Sequence, residues 1–317
     1  MGVLIKGFFV ILLSIGLIAC ERPQDTQKTE ADDKTEPVEK AQQSSQSNAT
    51  GPALWKLSDG DTTIYLFGTV HILHKDIEWK NEPLEAAWHA SPTIYFETDT
   101  SEEGQQKIAA MIPQIGLNPP GVSLQSFFTD AQWALIEETA TKLNLPIQSF
   151  QNMRPWLVGV LLSVQMIMAD GGDPDSGVET ILRADAVAAG KSIRYFESVE
   201  QQLGFFADMS DEDAAELLYE GLVFYNENPG YFQKLVDEWL AGNVDAIADI
   251  MIEGLAGPDN VAEVLLYSRN RNWVEELTRL MNEEEGVFFV AVGAGHLAGE
   301  KSVQDYLQQQ GFTVERQ

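Results

Sequence analysis

The chain has 317 residues, of which 49 are acidic and 20 are basic, so its formal net charge at pH 7 is −29. This charge repels polyanions, so we expect neither nucleic acid nor an anionic membrane surface as a partner. Cys20 is the single cysteine, which excludes an intramolecular disulfide and a metal site built from thiolates. Any metal ion therefore has to be held by nitrogen and oxygen ligands.

Residues 1–19 have the features of a secretory signal peptide. Lys6 precedes an apolar run from Phe8 to Ile18, which is too short to serve as a stable membrane span. The run leads into "LIAC", which resembles the lipobox of bacterial lipoproteins, and we therefore predict lipidation at Cys20. The alternative is an ordinary cleaved signal with an incidental cysteine.

Residues 20–53 are predicted to be the lipidated cysteine and a disordered tether. The segment is polar and charged, with almost no apolar side chains to bury. Glu21 stands where some bacteria have an aspartate that retains lipoproteins in the inner membrane. We therefore expect an exported protein, lipid-anchored in the bacterial cell envelope at the outer membrane and facing the periplasm. The N-terminal lipid is its only expected contact with the membrane.

Residues 54–317 are predicted to form a single α/β (α+β) domain. Short β-rich runs alternate with amphipathic stretches, a pattern typical of a central mixed, largely parallel sheet flanked by helices. The middle of the chain is helical and is predicted to be an insertion. The predicted strands are Thr63 to Gly68, Thr93 to Phe96, Ser192 to Phe196, Val287 to Val292, and Phe312 to Val314.

Four of these strands are followed by side chains that carry chemistry. The first leads to His71, the second to Glu97, the third to Glu197 and the fourth to His296. In open α/β sheets, ligands bind outside the carboxyl ends of the strands. If the four strands are parallel neighbours, these side chains converge there. The alternative for Glu97 and Glu197 is that they are solvated strand ends.

Two of the four histidines have the same local setting. In "YLFGTVH" and "FFVAVGAGH", Gly68 and Gly293 lie three residues before His71 and His296 at the end of an apolar run. A glycine at a strand end permits a tight turn or a close approach of the backbone. Two imidazoles with one or two carboxylates suit Mn, Fe, Co or Zn. The alternative is that each histidine only forms a hydrogen bond within the core or lines an edge.

A predicted helix, "VAEVLLYSRNRNWVEELTRLM", carries a charged residue on its apolar face. Arg269 lies four residues after Leu265 and four before Trp273. A guanidinium on that face needs an anion or a carbonyl oxygen, so we expect it to pair with Glu97 or Glu197, or to bind a substrate oxyanion. Asn270 lies on the flank of the same face. The alternative is that Arg269 extends along the surface with its charged end in water.

Several segments in this order resemble the TraB/GumN family, which includes the animal Tiki proteins: "LWKLSDGDTTIYLFGTVHILHKD", "TIYFETD", "RPW", "GVETILRADAVAAGKSIRYFES", "RNRNW" and "FFVAVGAGHLAGEKSVQDYLQQQGFTVERQ". The resemblance covers essentially the whole chain after the tether. Tiki relatives are membrane-tethered, metal-dependent proteases. TraB-like members act on or sequester peptide pheromones, GumN has a polysaccharide gene context, and related lipoproteins are associated with haem or iron.

The resemblance implies a metal-dependent site. It comprises the two glycine–histidine motifs and Glu97, with Arg269 and Asn270 contributed by the Arg-Asn helix. Glu197 is added only because it follows a predicted strand.

We therefore expect a metal-dependent hydrolase, a peptidase that cleaves a peptide or protein substrate with water activated by a divalent metal (Mn, Co, Zn or Fe). His71, His296 and Glu97 are the expected metal ligands. Glu197 is the expected general base or an additional ligand, and Arg269 steadies a carboxylate or the developing oxyanion. The alternative is a non-catalytic lipoprotein that binds or sequesters a peptide or an iron or haem compound in the same crevice.

Overall fold

The computed structural model describes residues 51–254 and 260–317. The predicted signal peptide, Cys20 and nearly all of the predicted tether lie outside these described residues. Within them, every helix is too short or too polar to cross a membrane.

A six-stranded mixed sheet forms the centre of the fold. The described strands are β1 (Leu54–Ser58), β2 (Thr62–Thr69), β3 (Leu73–His74), β4 (Thr93–Phe96), β5 (Gly172–Asp173), β6 (Ser192–Tyr195), β7 (Gly286–Gly293) and β8 (Val314–Arg316). The large sheet has the order β6-β4-β7-β2-β1-β8, and β3 pairs with β5 separately. The four strands from β6 to β2 are parallel, whereas β1 and β8 are antiparallel to their neighbours. The predicted mixed, largely parallel sheet is confirmed.

The described helices cover both faces of the sheet. They are α1 (Glu82–Ala90), α2 (Glu102–Ile115), α3 (Asp130–Lys142), α4 (Pro155–Ala169), α5 (Val178–Ala188), α6 (Val199–Ala207), α7 (Asp211–Glu227), α8 (Tyr231–Leu240), α9 (Val244–Gly254), α10 (Ser268–Glu283) and α11 (Val303–Gln309). A π-helical turn, Glu263–Tyr267, precedes α10.

Alternating side chains of the central strands pack into two separate apolar cores. Phe67 and Phe289 face a core shared with α1, α5 and α8. Leu66 and Val290 face the opposite side, where α10 contributes Trp273. This alternation follows from the two-residue period of a strand, and it buries the parallel strands on both faces.

The helical middle of the chain has its own apolar cluster. Helices α3, α4 and α7 pack together around Trp133, Leu162 and Leu222, each buried. Helix α7 begins after Ser210, whose side chain accepts a hydrogen bond from the backbone N–H of Asp213 at 3.0 Å. This is the capping geometry expected at the start of a helix. The predicted helical insertion is therefore present.

Two details of the predicted sheet are wrong. The segment "LWKLS" was not predicted as a strand, yet it forms β1 and pairs with β2 across a turn at Asp59, whose side chain accepts the N–H of Thr62 at 2.8 Å. The last strand begins at Val314 rather than Phe312. The N–H of Phe312 donates to the carbonyl of Leu307 at 3.1 Å, so Phe312 belongs to the turn that ends α11.

The parallel register brings four strand ends to one edge of the sheet. Thr69 of β2 lies opposite Gly293 of β7, and Phe96 of β4 lies opposite Ala291. The N–H of Glu197 donates to the carbonyl of Glu97 at 2.8 Å, which extends the pairing of β4 with β6 by two residues. The side chains that follow these strands therefore begin at a common edge.

Candidate active site

Gly293 lies at the centre of the side chains gathered at this edge. Its N–H donates to Glu97 Oε1 at 2.7 Å. A Cβ at this position would be 3.1 Å from Glu97 Oε1, 3.6 Å from His71 Nε2 and 3.7 Å from His296 Cδ2. The φ angle of Gly293 is −50°, so glycine is required for space and not for an unusual backbone conformation. The two histidines and Glu97 thus surround one small space.

Gly68 serves a different close approach. A Cβ there would lie 3.0 Å from the Cα of Ala294, in the turn that follows β7. The carbonyl of Gly68 also accepts a hydrogen bond from Trp239 Nε1 at 2.8 Å. Gly68 therefore lets the two glycine–histidine segments pack backbone to backbone, which agrees with the reason given for a glycine at a strand end.

His71 presents Nε2 to the space at Gly293, while Nδ1 lies 2.8 Å from Glu179 Oε1. Its side chain is 20 % exposed. Burial lowers the pKa of His71, but the negative charge of Glu179, its hydrogen bond to the imidazole and the charge of Glu97 together outweigh this effect, and the pKa is raised above its ordinary value. Glu179 was missed at the level of the sequence because an acidic residue in the first turn of a helix is normally exposed.

His296 is buried and neutral. Asn270 Nδ2 donates to the carbonyl of Lys301 at 2.8 Å, so Asn270 Oδ1 faces His296 Nδ1 at 2.6 Å and accepts a hydrogen bond from its N–H. The other ring nitrogen, Nε2, lies 3.2 Å from Arg269 Nη1 and 3.8 Å from Glu97 Oε1. Burial and the charge of Arg269 lower the pKa of His296 to about 3.

Arg269 is buried and binds both predicted carboxylates. Nη2 donates to Glu97 Oε2 at 2.7 Å and to Glu197 Oε2 at 2.8 Å, and Nε donates to Glu197 Oε1 at 2.7 Å. Its Nη1 donates to the carbonyl of Leu265 at 3.2 Å. The alternative in which Arg269 extends to the surface is wrong, because the partners needed by a buried guanidinium are all present.

The pKa values of the two carboxylates that share Arg269 are shifted in opposite directions. Burial raises the pKa of Glu97, but the positive charge of Arg269, the two nearby histidines and the hydrogen bond from the Gly293 N–H together outweigh it and lower the pKa to about 2. Burial raises the pKa of Glu197 above its ordinary value despite the guanidinium, and the nearby negative charge of Glu97 adds to this effect. Glu97 is therefore firmly ionised at neutral pH.

A pocket opens next to these groups. Its polar lining includes His71, Glu97, Arg269, His296 and Gln202. Most of the remaining wall is apolar and includes Ile72, Phe206, Phe232, Leu235, Met251 and Leu266. Among the described residues, neither Glu197 nor Asn270 lines the pocket. The structure thus brings all the predicted side chains together, but only four of them face the pocket.

The remaining two histidines do not line the pocket. His89 is exposed on α1. His74 forms part of β3, and its ring lies 5.0 Å from that of Phe232, measured between centroids. Neither is among the described residues that line the pocket.

The donor set fits a divalent metal ion in its chemistry. His71 Nε2, Glu97 Oε1 and the ring of His296 surround the space at Gly293, and the other nitrogen of each imidazole is held by a side-chain oxygen, as is usual for metal-binding histidines. In residues 51–254 and 260–317, however, no three histidine, cysteine, aspartate or glutamate side chains are already spaced to hold an ion. In the structure, Arg269 contacts two of the proposed ligand side chains, at His296 Nε2 and at Glu97 Oε2.

Comparison with known proteins identifies the family to which the chain belongs. The model of the TraB/PrgY/gumN family matches residues 53–316. Searches of curated proteins and of solved structures returned no match. Because the family match spans nearly all the residues that form this fold, the chain belongs to the TraB/PrgY/gumN family.

Proposed function

We propose that this protein is a metal-dependent hydrolase that cleaves peptide or protein substrates at the bacterial cell envelope. One observation carries the proposal: His71 Nε2, Glu97 Oε1 and the ring of His296 surround the space kept open by Gly293. In addition, this space lies on the wall of a pocket with a cavity volume of about 80 Å³, which is large enough for several water molecules.

His71, His296 and Glu97 would hold the ion, and their two nitrogens and one carboxylate suit Mn, Co, Zn or Fe. When bound, the ion supplies Lewis acidity, which polarises a carbonyl group and makes a water molecule more acidic. Glu97 stays ionised because Arg269 lowers its pKa. His296 stays neutral, so the lone pair of its Nε2 can bind a metal ion once the hydrogen bond with Arg269 Nη1 is broken.

Arg269 is the group best placed to interact with a polarised carbonyl oxygen, since it lines the pocket and carries a permanent positive charge. Glu197 holds this guanidinium with two hydrogen bonds and also accepts Trp273 Nε1 at 2.9 Å. With both oxygens occupied and no access to the pocket, Glu197 is better suited to positioning Arg269 than to acting as a general base. Asn270 similarly positions His296.

The apolar wall of the pocket favours substrates with uncharged side chains next to the scissile bond. Phe206, Phe232 and Leu235 offer aromatic and aliphatic contacts, and burying apolar area against them is favourable. The net charge of −29 disfavours acidic peptides.

Attachment to the envelope through a lipid on Cys20, at the outer membrane, is supported by the sequence pattern of residues 1–53. Mass spectrometry of the protein purified from the membranes of the cells that produce it tests the lipidation of Cys20. A diacylglycerol thioether on Cys20 is expected, and an unmodified cysteine or cleavage at another position would contradict it.

A second candidate is a non-catalytic protein that binds a peptide or an iron or haem compound in the same pocket. Two observations favour it: the pocket wall is mainly apolar, and Arg269 already occupies two of the donor side chains.

Metal content and cleavage separate the two candidates. The chelator-treated full chain is supplied with Mn²⁺, Co²⁺ or Zn²⁺, and its bound metal and its cleavage of a peptide library are measured. We expect metal-dependent cleavage that His71→Ala and His296→Ala abolish and that the exposed control His89→Ala retains. Metal binding without cleavage would favour the binding protein. Wild-type metal content in both variants would remove the proposed site.

A further inference from the structure

Glu179 is a buried carboxylate behind His71. It is 7 % exposed, and it is not among the described residues that line the pocket. Its Oε1 accepts hydrogen bonds from Thr69 Oγ1 and, at 2.8 Å, from His71 Nδ1. Its Oε2 has no hydrogen-bond partner among the described residues. A buried carboxylate with one unsatisfied oxygen costs free energy, so folding stability is a poor reason for its presence.

The backbone around Glu179 is fitted closely to the segment that carries His71. Val178 N–H donates to the carbonyl of Val70 at 3.0 Å. A Cβ on Gly177 would overlap the carbonyl oxygen of His71, so a larger residue there would push the two segments apart. Residues 177–179, where α5 begins, therefore contact residues 69–71, where the chain leaves β2. This contact fixes the position of the Glu179 side chain relative to the imidazole.

The first turn of α5 also suits a negative charge. Glu179 is the second residue of the helix, where the unpaired N–H groups of the helix produce a favourable potential. The helix thus offsets part of the cost of burying the charge, although it leaves Oε2 without a partner.

We propose that Glu179 is the positioning residue of His71: it accepts a hydrogen bond from the Nδ1–H and so directs the Nε2 lone pair to the space at Gly293. Without such an acceptor, a neutral imidazole can carry its proton on either nitrogen. With its proton on Nε2, His71 has no lone pair directed into the space at Gly293, which Glu97 and His296 also face. The consequence for metal affinity rests on the proposed function, whereas the tautomer of His71 does not.

The test uses the full chain and two readouts. In the metal-free chain labelled with ¹⁵N-histidine, NMR at alkaline pH, where the imidazoles are neutral, reports the tautomer of each of the four histidines. The signal that disappears in His71→Gln is assigned to His71. The second readout is the dissociation constant for Zn²⁺ and Mn²⁺.

The variants separate positioning from a structural role. Glu179→Met removes the acceptor at similar volume, and Glu179→Gln keeps an acceptor oxygen without the charge. Asp185→Asn is the matched control, because Asp185 lies on the same helix and pairs with Lys80 at the surface. Thr69→Val removes the other donor to Glu179 while leaving His71 its partner.

In the wild type we expect His71 protonated at Nδ1. Glu179→Met is expected to populate the Nε2–H tautomer and to weaken metal binding by about 10- to 100-fold. Glu179→Gln is expected to restore the wild-type tautomer and most of the affinity. Asp185→Asn should match the wild type in both readouts, and Thr69→Val should retain the Nδ1–H tautomer.

A wild-type tautomer in Glu179→Met would overturn the inference, whether or not the chain binds metal. If the tautomer changes as expected but the wild type binds neither ion, the positioning role stands and the proposed metal site fails. Should Glu179→Met not fold, failure of Glu179→Gln to keep the Nδ1–H tautomer would also overturn it.

Discussion

Arg269 and Glu97 form an ion pair of 2.7 Å between Nη2 and Oε2, in which each side chain is only 4 % exposed. The same guanidinium binds Glu197, and it lies between the rings of Phe205 and Trp273, with its central carbon 5.3 and 4.9 Å from their centroids. One cation thus holds two buried carboxylates and also contacts two aromatic rings. Its removal leaves two negative charges without a counterion, which is among the costliest single changes that a buried site can suffer.

Arg269→Ala is therefore expected to lower the free energy of unfolding by about 3–5 kcal/mol. Denaturant titration of the full chain measures the change. Arg271→Ala is the matched control on the same helix, because its ion pair with Glu263 is about half exposed and is expected to contribute no more than about 1 kcal/mol. Equal effects of the two substitutions would show that the buried cluster is not held by Arg269.

Gly293→Ala tests the space between the proposed metal ligands. The added methyl group would lie 3.1 Å from Glu97 Oε1, so Glu97 or the backbone has to move. We expect metal affinity to fall by at least about 10-fold, the scale at which perturbed ligand positions act. The control Gly159→Ala adds a methyl group within α4 whose nearest neighbours are 3.8 Å away. It should leave metal affinity unchanged and leave the fold as stable or up to about 1 kcal/mol more stable. Unchanged metal binding in Gly293→Ala would place the ion elsewhere.

Asn270→Ala removes the acceptor of His296 Nδ1 and the donor to the carbonyl of Lys301. Leaving the buried His296 Nδ1 without its acceptor is expected to cost about 1–3 kcal/mol of stability and to weaken metal binding through the loss of His296 orientation. Asn272→Ala, an exposed change on the same helix, should do neither. Thermal unfolding with and without added Zn²⁺ measures both effects, and an undiminished Zn²⁺-induced shift in Asn270→Ala would argue against its positioning role.

The stability of the metal-free chain should depend on pH through His296. Its pKa falls from 6.5 to about 3 on folding, because of burial and the charge of Arg269. As the pH drops below 6.5, the unfolded chain binds a proton at this residue and the folded chain does not, so the free energy of unfolding falls until the pH reaches about 3. The contribution is up to about 1.4 kcal/mol per pH unit.

Comparison with His296→Gln isolates this contribution, since glutamine does not titrate. The raised pKa of His71 acts with the opposite sign, because its stabilisation is present at low pH and lost as the pH rises through the folded pKa. The raised pKa of Glu197 also favours the folded chain as the pH falls. Because His71 and Glu197 are present in both the wild type and His296→Gln, the difference between the two proteins reports His296. Below pH 6.5, the free energy of unfolding should decrease more steeply with falling pH in the wild type than in His296→Gln. Equal slopes in the two proteins would contradict the lowered pKa of His296.

Local patterns in the sequence were sufficient for much of the scaffold. Thr93 to Phe96 was predicted with its observed bounds, and the glycine–histidine segments were correctly placed at the ends of strands. These features depend on contiguous residues: an apolar run, a glycine that permits close approach and a helix cap. The convergence of four strand ends also followed once parallel neighbours were assumed.

The tertiary structure decided how these groups are partnered. The sharing of Arg269 between two carboxylates depends on α10 packing across the sheet, and the contact of His71 with Glu179 joins residues 108 positions apart. No local period marks Glu179, because an acidic residue in a first helical turn has the same sequence pattern whether it is exposed or buried. Composition and hydrophobic spacing determined that this chain forms parallel strands whose carboxyl ends are followed by histidines and carboxylates. Only the packing of α5 and α10 against that edge determined which nitrogen and oxygen atoms face the pocket, because hydrogen bonds between distant elements depend on their relative position in space and not on the order of residues within either one.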